Sequence, residues 1–197
     1  MSHLKGQHHT LNHTTDTAFG GFMSRQAQSA LAVPTDALPL EARSRIYVLD
    51  VYIVDGPIEP DFFNQNPLVS RRMELLEHHT LADLHRAIFQ SFERQAEHLY
   101  EFQIGGKGPN DPNNRVYSLS QALRREGDEL AAGDVETTTL ADAGIGVDQP
   151  FSYWFDFSDD WWHQVNLVEV RANQCLEGFP KVVGWVGDSP PQDCGEE

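Results

Sequence analysis

A chain of 197 residues with 40% hydrophobic side chains can bury one core, and the rather low apolar share points to a single domain with a polar extension. The formal net charge is −16, and the eleven acids between Glu126 and Val170 have no Lys or Arg among them, which argues against direct contact with a phosphate backbone. No apolar run is long enough to span a membrane and the N-terminus has no basic region followed by an apolar one, so the sequence reads as a cytoplasmic protein with no membrane part.

In chain order, residues 1–44 are rich in His, Thr, Ser, Gln and Gly without sustained periodicity and read as a disordered tail, leaving residues 45–197 as a single domain. Ile46 to Val54 is a β-branched and aromatic run, apolar on both faces, as a central strand requires. Asp55–Gly56–Pro57 ends it, Pro60 to Pro67 reads as a loop, and Leu68 to Glu77 as a second, half-exposed strand. The adjacent Arg71 and Arg72 within it read as a solvated strand face. Thr80 with Asp83 three residues on is a capping box, and Leu81, Leu84, Ile88 and Phe92 line one face of the helix that follows. His98 to Ile104 alternates as a strand, with Tyr100, Phe102 and Ile104 on one side.

Lys107 to Arg115 is a loop, and Val116 to Asp134 is ambiguous, with a short helix considered over Ser118 to Arg125. Thr139 and Asp142 repeat the capping signature, but Gly144 and Gly146 stop any helix after a turn. Phe151 to Phe157 and Trp161 to Leu167 then form a hairpin around an acidic turn, and residues after Arg171 read as ordered loop. The order β-β-α-β-…-β-β implies an α+β domain: a mostly antiparallel sheet with one main helix packed across it.

Three blocks resemble the plasmid pRiA4b ORF-3-like family. They are Thr80–Leu81–Ala82–Asp83–Leu84–His85 running on to His98–Leu99–Tyr100–Glu101–Phe102, then Tyr153 to His163 (YWFDFSDDWWH), then Phe179–Pro180–Lys181 with Pro190–Pro191–Gln192–Asp193–Cys194–Gly195. Arg71–Arg72 also match a double arginine on the family's second strand. The resemblance implies a fold and a mobile-element setting as an insertion-element passenger, and no activity. Ser158 stands where relatives have glycine, and Val182 and Ser189 where they have cysteines, so of a cysteine cluster only Cys194 remains.

The hairpin carries the candidate chemistry. Asp156, Ser158 and Asp160 have the spacing of a hard-cation loop, but Trp161 and Leu167 stand where an EF-hand needs glycine and glutamate. A different divalent-metal site would join Asp156, Asp159, Asp160 and His163, with His98 or Asp193 brought from elsewhere. The competing view is that these aspartates hydrogen-bond the backbone of a tight turn. His85 and His163 each fall on an apolar face, where a satisfied core histidine is the simpler reading.

Trp154 and Trp162 offer an aromatic platform for a partner, with the Cys194 loop beside them. Cys194 itself has no neighbouring cation in sequence to lower its pKa, so nucleophilic catalysis is not expected from it. The first functional reading is a non-enzymatic binding or accessory module whose acidic, aromatic hairpin takes a basic protein or peptide. The alternative is a divalent-metal-dependent, hydrolase-like enzyme with ligands from the Asp156–His163 hairpin and His98 as acid or base.

Overall fold

The computed structural model describes residues 44–119, 131–173 and 178–192. The tail expected before Ser44 lies outside these residues, as do most of the helix considered over Ser118 to Arg125, Asp193 and both cysteines. Eight strands make one sheet: β1 (Arg45–Asp55), β2 (Ser70–Leu76), β3 (Tyr100–Ile104), β4 (Arg115–Ser118), β5 (Ala131–Asp134), β6 (Phe151–Phe155), β7 (Trp161–Ala172) and β8 (Lys181–Val186). Their spatial order is β5-β4-β3-β6-β7-β1-β2-β8. All neighbours are antiparallel except β4 and β5, which are parallel.

The helices are α1 (Pro60–Gln65, 6 residues) and α2 (Leu81–Ser91, 11 residues). This corrects the expected α+β class with a main helix packed across the sheet: the described residues form a mixed sheet with two short helices. The dimensions give the reason. Eleven helical residues extend about 16 Å, whereas eight strands span roughly 34 Å. The helix buries Leu81, Ala82, Leu84, His85, Ala87 and Ile88 but cannot form a layer over such a sheet.

Three local readings change with it. Pro60 to Pro67 was expected as loop, yet Pro60 sits in the first turn of α1 with Asp61 beside it, a helix-start signature. The ambiguous stretch supplies β4 and β5, and the segment expected as loop after Arg171 supplies β8, which pairs with β2. These strands lie toward the sheet's ends and are partly exposed, so they carry no apolar alternation to read.

Other readings hold. The capping box is complete: Asp83 N–H donates to Thr80 Oγ1, and Thr80 N–H donates to Asp83 Oδ2. The Thr139–Asp142 pair makes the same contact on a turn, where Asp142 N–H donates to Thr139 Oγ1. β1 lies between β7 and β2, and its two faces feed two clusters. Tyr47, Leu49 and Val51 join the main core with Phe102, Tyr153, Phe155 and Trp161, while Ile46 and Val48 pack with Leu76 on the other face.

Gly56 ends β1 at φ 153°, and a Cβ added there would stand 2.4 Å from the fully buried Trp161 ring. Gly56→Ala is therefore expected to cost about 2 kcal/mol, as overpacking does, measured by denaturant unfolding. An unchanged midpoint would show that the indole shifts at no cost.

The adjacent arginines of β2 take opposite faces of the sheet. Arg72 is exposed and donates through Nε and Nη2 to Asp50 at 2.6 Å each. Arg71 is 3% exposed and lies over the Phe92 ring. Its Nε donates to Ser91 O, its Nη1 to Ser70 O, Val186 O and Gly187 O, and its Nη2 to Ser189 Oγ. It ties the end of α2 to the loop after β8. Gln192 continues that attachment, accepting from Gln95 N–H and Ala96 N–H and donating to Ala96 O.

Candidate functional site

The β6–β7 hairpin lies in the middle of the sheet, and strand alternation divides its residues between the two faces. Tyr153 is opposite His163, and Phe155 opposite Trp161, on the core side. Trp154 is opposite Trp162 on the other side, where their rings stack at 4.7 Å and 9°, with Phe157 against Trp154 at 4.3 Å. The two indoles form a stack in which Trp162 is 9% exposed and Trp154 is intermediate.

The turn between these strands is built by its aspartates. Asp156 and Asp160 take positive φ, 54° and 53°, a conformation Asp tolerates better than most residues. Asp156 O accepts from the N–H groups of Asp159 and Asp160, and Asp156 N–H donates to Leu99 O. Its Oδ1 accepts from Ser158 Oγ at 2.6 Å and Ser158 N–H at 3.2 Å. Ser158 thus contributes a hydroxyl to the turn.

These positions separate the expected metal ligands. His163 is fully inside the core, beside Phe92 and Tyr153, whereas Asp160 is exposed and Asp156 is buried toward His98. Among the described residues, no three or more His, Cys, Asp or Glu side chains are grouped to hold one ion. One expected pairing does form: His98 Nε2 lies 3.4 Å from Asp156 Oδ2. Cys194, offered as a partner contact, lies outside the described residues.

His163 is the less comfortable of the two core histidines. It is 1% exposed and neither ring nitrogen has a hydrogen-bond partner among the described residues. Burial, then the Arg94 charge, hold its pKa down at about 3; main-chain groups of Tyr153 and Trp161 favour the charged form without hydrogen-bonding the ring. Arg94 itself is buried, with its guanidinium 3.7 Å from the Trp161 ring centroid.

His85 is better satisfied. Its Nδ1 is hydrogen-bonded to Tyr153 Oη at 2.7 Å, its ring stacks on Tyr100 at 3.6 Å and 4°, and its Nε2 points to Glu97, 3.6 Å away. Burial, helped by the nearby Arg86 charge, lowers its pKa to about 4, so the ring is neutral near pH 7. A ring protonated at Nε2 lets Tyr153 donate to Nδ1.

His85 and His98 open onto the same cleft of about 550 Å³. Tyr100, Leu99 and Leu119 supply its apolar lining, and Glu97, Glu136 and Arg86 its charges. Arg86 donates to Asp83 Oδ1 at 2.6 Å, so part of its charge is already answered. Burial, and after it the Glu136 carboxylate, raise the Tyr100 pKa. The cleft is therefore an acidic recess floored by aromatic and imidazole rings. Sequence reasoning named His98 but not Glu97, Glu136 or the recess, because Glu136 reaches it across a long separation and is unremarked in any motif.

The family model for plasmid pRiA4b ORF-3-like protein matches residues 61–197, and the chain belongs to that family. In three dimensions it is similar to MM3350, a protein of unknown function from Methanosarcina mazei Go1. The two are 22% identical with a TM-score of 0.58 over 79% of this chain and 77% of the other, a likeness of fold alone. No curated protein matches the chain. Neither description names a reaction. Among the described residues no helix is long and apolar enough to cross a membrane.

Proposed function

We propose that this protein is a binding module that takes a basic side chain of a protein or peptide partner in the acidic cleft between α2 and the start of β3. The observation that carries this reading is the cleft's composition. Glu97 and Glu136 flank a recess whose single cationic lining residue among the described residues, Arg86, is already bonded to Asp83. A lysine or arginine side chain entering there finds carboxylates for its head and Leu99, Leu119 and Tyr100 for its aliphatic stem. The net charge of −16 adds a long-range attraction that salt will screen.

Calorimetric titration with a pentalysine peptide tests it. Binding is expected for the wild-type protein at low salt, and the double reversal Glu97→Lys with Glu136→Lys should weaken it by about tenfold or more, since like charges then face the peptide. Both side chains are exposed, so the variant should fold normally. Pentalysine that binds wild type and the double variant equally would remove the cleft from the reading. If Trp154→Ala then abolished binding, the outer aromatic stack would be the surface instead.

A further inference from the structure

The cleft contains, besides its carboxylates, an imidazole with a dedicated carboxylate behind it. Asp156 is 2% exposed, and its N–H, its carbonyl and its Oδ1 are each committed to Leu99 and the turn. Oδ2 is left for His98, whose Nε2 lies 3.4 Å away. The His98 side chain is 38% exposed, and its Nδ1 makes no hydrogen bond among the described residues. A buried carboxylate fixed behind a solvent-reaching imidazole selects the tautomer with Nε2–H toward Asp156, which leaves Nδ1 as the basic nitrogen. Such contacts are often long before a ligand is bound and tighten with it.

We propose that the His98–Asp156 pair is a general base that activates water to hydrolyse an acyl ester whose acyl part carries a cation. His98 is the catalytic residue and Asp156 its positioning residue. The cationic part of the substrate rests on the cleft reading given above; the base itself does not. His98 Nδ1 takes a proton from water while the water oxygen bonds to the carbonyl carbon, and the carbonyl π pair moves onto oxygen. When that pair returns, the carbon–oxygen bond to the alcohol breaks and the leaving oxygen takes the proton back from His98. Water is the only co-reactant.

The 4-nitrophenyl esters of Nα-acetyl-lysine and Nα-acetyl-norleucine, which differ in the terminal ammonium, test both parts. Wild type is expected to release nitrophenolate from the lysine ester faster than from the norleucine ester. His98→Gln should lower kcat by about 100-fold or more with an unchanged melting temperature, and free imidazole should restore part of it. Asp156→Asn, which keeps an acceptor for Ser158, should lower kcat while leaving KM for the lysine ester in place. Equal rates for wild type and His98→Gln on both esters would overturn the general base, and pentalysine binding would be untouched by that result. Equal, His98-dependent rates on the two esters would keep the base and discard the cationic substrate.

Discussion

Arg71→Met is expected to lower the unfolding free energy by about 3 kcal/mol or more, whereas Arg72→Met, one residue away, should cost less than about 1 kcal/mol. The two side chains have the same charge and opposite situations. Arg72 is 52% exposed in its ion pair with Asp50, where water screens the attraction. Arg71 is buried, and its guanidinium answers four carbonyls and the Ser189 hydroxyl. Methionine fills much of the space but leaves those acceptors without their donor, and it is the unmet buried group that costs most. Denaturant unfolding of the two variants side by side is the measurement. Equal small losses would mean that the carbonyls find water once the arginine is gone.

Stability is expected to fall as pH drops from 6.5 toward 4.5, and His163→Leu should remove a large part of that fall. In the folded state His163 titrates at about 3 and His85 at about 4, against 6.5 for the free side chain. Both folded values are depressed, so between them and 6.5 the unfolded chain binds the extra protons. The contribution of each is full above 6.5 and is lost as pH falls, at up to about 1.4 kcal/mol per pH unit per histidine. His79, also held below 6.5 mainly by burial, adds in the same direction.

The carboxylates act lower. Glu74 and Glu77 are held below 4.5 by their basic partners, so their share is lost only under that pH. Leucine at position 163 removes one titration and two unpartnered buried nitrogens, a change expected to be neutral or stabilising by about 1 kcal/mol at pH 7. Unfolding free energies measured from pH 7 to 4.5 check it. A slope unchanged by the substitution would show that His163 is not the group responsible.

Much of the sheet's interior was legible because burial on one or both faces imposes a period. Ile46 to Val54, the alternation of Tyr100, Phe102 and Ile104, and the paired faces of the hairpin all read directly from side-chain type. The capping box at Thr80 was legible for a different reason: it is a local hydrogen-bond pattern needing only four residues. β4, β5 and β8 were not legible, since partly exposed strands near a sheet's ends tolerate glycine and charge and lose alternation. Gly133 and Gly184 stand inside two of them. Their absence from the reading is what made the single helix look like a main layer.

The candidate site was legible in part. His98 and Asp156 were named and do meet, but the partners chosen with them were not. His163 carries the same side-chain type as His98 and sits three residues from Asp160, yet pleating turns it into the core. Sequence proximity across a hairpin turn says little about which way a ring points when the period is two. Arg71 was missed for the mirror-image reason: a charged residue on a strand reads as solvated unless its distant acceptors, Val186, Gly187 and Ser189, are known.

The position of β6 and β7 has a consequence for how the chain reaches this structure. Emerging from the ribosome, it can pair β1 with β2, and β3 with β4, from neighbouring segments alone. No pairing between strands joins those halves until residues 151–172 arrive, because β3 meets only β6 across the gap, and β1 only β7. The Arg45–Ala172 pairing spans most of the described chain. Assembly is therefore governed by late, long-range loop closure, the slow class of folding event. Until residues 151–172 have been made, the apolar edge of β1 is open to other chains, and a nascent protein stopped before Phe151 should depend on chaperones to stay in solution.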